Sequence, residues 1–115
     1  MDWAALDWPT LAAYFFGGAF LTNAIPHFVS GVMGRPFQSP FAKPPGQGFS
    51  SSTVNVIWGF ANLVAAYFLI LRVGRFDLRV PEDAAAFGAG ALLLGLFTGR
   101  HFGRFNGGNK PTPTP

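Results

Sequence analysis

Residues 8–34 and 44–71 contain no Asp, Glu, Lys or Arg. A helix crosses the roughly 30 Å hydrocarbon core of a bilayer with about 20 mostly apolar residues, and both stretches are longer than that. A third apolar run, residues 84–99, is shorter, about 24 Å at the helical rise of ~1.5 Å per residue. It reaches bilayer thickness if Arg100 and Arg104 extend toward the headgroups. The pattern predicts an all-α membrane protein with three transmembrane helices over residues 10–33, 54–73 and 82–102. These form one transmembrane helical domain, residues 1–105, with a disordered Gly/Pro/Thr tail at 106–115.

Punctuation along the chain fits that division. Pro9 precedes the first span, and Trp3 and Trp8 suit an interfacial aromatic belt. Any of Ser50, Ser51 and Ser52 could cap the second helix, which should end at Arg72-Val73-Gly74. Pro81-Glu82-Asp83 opens the third, with a residue that lacks an N–H and two carboxylates at the positive end of the dipole. Between the first two spans lies a Pro/Phe-rich interfacial loop holding Pro36, Pro40, Pro44 and Pro45 with Phe37, Phe41 and Phe49. Its prolines forbid a regular helix. It is expected to lie on the membrane surface or to form a lid over a site.

Composition sharpens this picture. Only 11% of residues are charged and half are hydrophobic, too little polar surface for a small water-exposed domain. Cysteine is absent, which excludes disulfides, thiol catalysis and cysteine-ligated metals. The net charge of +3 does not indicate nucleic-acid binding, because the basic residues fall at helix ends. Asp2 and Asp7 stand where a cleaved leader would carry bases, so the first helix is expected to persist. With three crossings, Arg35, Lys43, Arg100, Arg104 and Lys110 share a side and Arg72, Arg75 and Arg79 the other. The expected orientation therefore has the N-terminus outside and the C-terminus in the cytoplasm.

Polar residues inside the apolar runs are the candidates for function. Asn23 and His27 are four apart and share a helix face, with Pro26 beside them to disturb the backbone. Asn55, Trp58 and Asn62 form a stripe on the second helix. An amide in hydrocarbon needs a partner, so the two faces should meet as a polar seam. Such a seam either glues helices together or serves a ligand or proton. On the third helix, Ala91, Gly95, Gly99 and Gly103 recur every four residues, a pattern that lets another backbone approach closely. Arg35, Arg100, His101 and Arg104 are expected to contact lipid headgroups or a partner.

Chemistry beyond this is sparse. The five acids, at positions 2, 7, 77, 82 and 83, lie outside the spans, and no HExxH, GxSxG or phosphate-loop pattern occurs. No catalytic residue, metal site or cofactor is expected; His27 and His101 as axial ligands of a b-type haem are a minor alternative. Asn23-x-x-Pro26-His27-Phe28, Gly34-Arg35-Pro36-Phe37, Pro40-Phe41-Ala42-x-Pro44 and Asn55-x-x-Trp58-Gly59-x-x-Asn62 together resemble a group of small bacterial integral membrane proteins. That resemblance implies residence in the bacterial inner membrane and no particular activity. The reading is a non-enzymatic membrane component, self-associating or part of a larger membrane complex, with the bilayer as its solvent. An oligomeric small-solute or ion permease using the seam is the alternative.

Overall fold

The computed structural model describes residues 2–112. After one 3₁₀ turn at Trp3–Ala5, α1 spans Trp8–Val32, α2 spans Ser52–Leu71 and α3 spans Pro81–Asn106. The carboxylate of Asp7 caps α1, accepting from the Thr10 backbone N–H (3.3 Å) and hydroxyl (2.7 Å). Pro9 sits inside that first turn, where no intrahelical N–H is required, and α1 continues through Pro26. Of the three candidate serines, Ser51 caps α2, its hydroxyl accepting from Val54 N–H. α3 opens on Pro81 and stops at Gly107, whose φ of 85° is the left-handed conformation of a helix C-terminal glycine. The tail expected to lack structure thus begins inside α3. Asn109 turns back to donate to the carbonyl of Arg100 (2.8 Å); residues 113–115 lie outside the described residues.

The expectation of three transmembrane helices is not supported. Among the described residues only α2 is both long and apolar enough to cross a membrane. The error lies in equating the absence of charge with apolarity. In α1 the uncharged run is diluted by Thr22, Asn23, Pro26, His27, Ser30 and several glycines. α3 carries Glu82 and Asp83 in its first turn and Arg100 and Arg104 near its end, around a core of glycine and alanine. Without three crossings, the basic residues no longer fall on alternating sides that would set the N-terminus outside.

A second difference lies between α1 and α2. The loop contains a small antiparallel sheet, β1 (Phe37–Gln38) against β2 (Phe49–Ser50), pairing Phe37 with Ser50 and Gln38 with Phe49. The segment between them turns at Gly46, where φ is 73°.

α1 is the central element. It packs on both α2 and α3, which make almost no contact with each other. Glycines set the approach. On the α2 side, Gly59 leaves room for Phe28, and Gly31 for Val56 and the carbonyl of Ser52. On the α3 side, Gly90 lies against the carbonyl of Phe15, and Gly18 against the backbone of Phe87 and Ala91. The interior so formed is unusual in kind. Its largest fully buried side chains are Tyr14, His27, Gln38, Asn55, Asn62 and Ser39, whereas Phe16, Ile57, Phe60, Phe68, Leu96 and Phe97 are exposed.

Candidate functional site

Two hydrogen-bonded pairs cross the α1–α2 interface. Asn23 donates its amide to Asn62 Oδ1 at 3.0 Å, and Asn62 donates in turn to the carbonyl of Trp58 at 2.8 Å. One turn further along α1, His27 Nδ1 meets Asn55 Oδ1 at 2.8 Å. The proton in this second pair can be placed. Asn55 turns its amide nitrogen toward three carbonyls, those of Phe37 (3.1 Å), Ser50 (3.3 Å) and Ser51 (3.1 Å). Its oxygen therefore faces the imidazole and can only accept, so His27 carries a hydrogen on Nδ1 and donates.

The four residues do not form one cluster, as a shared polar face would suggest. They form two separate pairs, Asn23–Asn62 and His27–Asn55. Each amide is committed within the protein, and Asn55 is completely buried. Trp58 behaves differently from the others on its stripe. Its ring packs edge-on to His27 and to Phe41, and its indole N–H is buried without an acceptor.

Asn55 also explains why the loop has structure. By holding carbonyls at both ends of the β1–β2 connection, it ties the sheet to the start of α2. Phe37 then covers His27, edge-on with centroids 5.5 Å apart, and Phe102 of α3 closes on both rings. Ser39 and Ser50 hydroxyls bond one another across the sheet. From α3, Asn106 donates to Gln38 Oε1 at 3.2 Å, and His101 Nε2–H donates to the carbonyl of Gly46 at 2.7 Å. The Pro/Phe-rich segment is thus a fastened cap over the His27–Asn55 pair. None of these bonds across the chain is visible in sequence spacing. The only local hint was the density of turn-forming residues around Phe37 and Phe49.

The remaining sequence-selected residues fare unevenly. Ala91 belongs to the close α1–α3 contact: its carbonyl accepts from the Thr22 hydroxyl at 3.2 Å. The rest of that stripe is not where the backbone of another helix of this chain approaches. Gly95 only grazes Thr22, Gly99 has nothing within 4 Å of where a Cβ would stand, and Gly103 lies against Asn109 of its own chain end. The α3 glycine that does admit a backbone is Gly90. Regular spacing signals which residues share a face, not which part of that face a partner reaches. His101, expected at headgroups or a partner, instead holds the cap through Gly46 and stacks on Phe97. Arg35, Arg100 and Arg104 are exposed. The two histidines considered as haem ligands both lie edge-on to the ring of Phe102.

Comparison with known families, with curated proteins and with solved structures finds no match to this chain.

Proposed function

We propose that this chain is a non-enzymatic membrane component that associates with copies of itself or with other subunits, using its polar interior for structure. The observation that carries the reading is the inversion of polarity between inside and outside. Water rewards burial of apolar area at about 25 cal/mol per Å², yet the large side chains removed from solvent here are amides, hydroxyls and an imidazole, while large apolar ones cover all three helices. Patches of that extent suit contact with lipid or another protein. Inside, the seam's amides are used on one another, on His27 and on backbone carbonyls, which supports a role as interhelical glue over a solute path.

The test is extraction followed by size measurement. Membranes from cells expressing the chain are washed with alkaline carbonate, then solubilised in detergent and weighed by light scattering. Retention through the wash and a protein mass above that of one 12.3 kDa chain are expected. Release by carbonate as a monomer would overturn the reading.

A further inference from the structure

α2 and α3 leave the sides of α1 without meeting, so a groove runs between them. Phe16, Phe20 and Asn23 of α1 floor it, with Trp58 of α2 and Leu93 and Leu94 of α3 as walls, around a cavity of about 460 Å³. Phe97 ends this apolar trough and also borders a second cavity, about 480 Å³, lined by Arg100, His101, Arg104 and Asn109. Leu93, Phe97, Arg100 and Arg104 follow one another at steps of four, three and four, a single face of α3. Trough and basic cavity therefore follow one another along α3, with Phe97 common to both.

Charge is divided between the two ends of the bundle. Asp2 and Asp7 precede α1, and Asp77, Glu82 and Asp83 surround the start of α3; Trp8 and Glu82 line one cavity, so those ends are adjacent. With Arg72, Arg75 and Arg79, that end holds three bases against five acids. Arg35, Lys43, Arg100, Arg104 and Lys110 belong to the other end, which has no acid. Along α3, Asp83 and Arg100 are about 25 Å apart. His101 is already engaged with the Gly46 carbonyl, which leaves the two guanidiniums to meet an anion. Paired arginines suit phosphate oxygens through parallel N–H bonds.

We infer that the groove holds an anionic phospholipid, its phosphate at Arg100 and Arg104 and an acyl chain along Phe97 and Leu93 toward Phe16 and Phe20. This rests on the membrane reading and adds to it a lipid class and a place. A zwitterionic headgroup would bring its own cation against the arginines.

Native mass spectrometry of the detergent-solubilised full chain provides the test, with phosphatidylglycerol and phosphatidylcholine of matched chains as probes. Two arginines near a headgroup should favour the anionic lipid by about thirtyfold. Arg100→Gln with Arg104→Gln should erase the preference, and each single change should remove part of it. Arg75→Gln with Arg79→Gln, the same charge change at the other end, should leave it intact. Dihexanoyl phosphatidylglycerol should bind more weakly than the long-chain lipid, and inorganic phosphate should not displace the latter. Equal retention of both lipids, an undiminished preference in the Arg100/Arg104 variant, or displacement by phosphate alone would overturn the inference. Circular dichroism verifies that these exposed substitutions leave the helices formed. Carbonate release would defeat the membrane reading while leaving this lipid measurement to stand by itself.

Discussion

The two faces of α1 are built on different terms. Toward α2 the contact is close along most of the helix: Gly17 lies under Leu69 and Ile70, Phe28 under Gly59, and Gly31 under Val56, with both polar pairs inside this stretch. Each step along α1 is answered by a step the other way along α2, as an antiparallel pair requires. Toward α3 the helices touch closely around Gly18 and Gly90 and then diverge. Ile25 and Pro26 face Thr98 and Gly99 across a cavity of about 320 Å³. One face is held by backbone proximity and polar pairing together. The other is held by proximity at one end and, at the far end, by Phe102 against His27 and by the cap that α3 grips through Asn106 and His101.

The largest effect should come from the closest point of the α3 face. In Gly90→Leu, a side chain is forced against the carbonyl of Phe15, and overpacking of this kind costs about 3 kcal/mol. Denaturant unfolding in detergent should show that loss; a wild-type midpoint would mean α3 is not seated as described. On the α2 face, Asn55→Leu should cost about 2 to 3 kcal/mol, because His27 and backbone carbonyls lose a buried partner together. Hydrogen exchange in residues 37–50 should rise in the same variant, and unchanged protection there would detach Asn55 from the cap.

The separation into two pairs is tested by double-mutant cycles. His27→Leu and Asn55→Leu should couple by about 1 kcal/mol, whereas His27→Leu and Asn23→Leu should be nearly additive. Strong coupling in the second cycle would restore a single four-residue cluster. The smallest effect belongs to Gly99→Leu, where the new side chain meets open space. Its stability should stay within about 0.5 kcal/mol of the parent. A loss of several times that would show that the divergent end of the α3 face closes on something, in this chain or another.

What the sequence disclosed, and where it fell short, follows the range of the interactions. Local chemistry was readable: the Ser50–Ser52 run and Pro81 mark helix starts because caps depend on residues within one turn. Helical periodicity placed Asn55, Trp58 and Asn62 on one stripe. It could not choose partners, because pairing across two helices depends on their axial offset, which the folded loop sets. The small-residue pattern left its partner open for a related reason. Ala91 to Gly103 share a face, but beyond Gly95 that face stands off α1, and Phe102 beside it makes the contact with His27 instead. Membrane crossing was overread because uncharged amides, glycines and an imidazole were counted with the apolar residues.

The placement of the polar partners bears on how the chain could be made. Every residue of both pairs, and every carbonyl that Asn55 holds, lies between Asn23 and Asn62. A nascent chain ending at Leu71 already contains the whole seam and the sheet above it, so this hairpin can close before α3 has been synthesised. The hydrogen bonds that must wait are those that reach α3: Thr22 to the Ala91 carbonyl, His101 to Gly46 and Asn106 to Gln38. α3 then arrives as a clasp on a finished pair of helices, closing Phe102 over a His27–Asn55 pair that is already made.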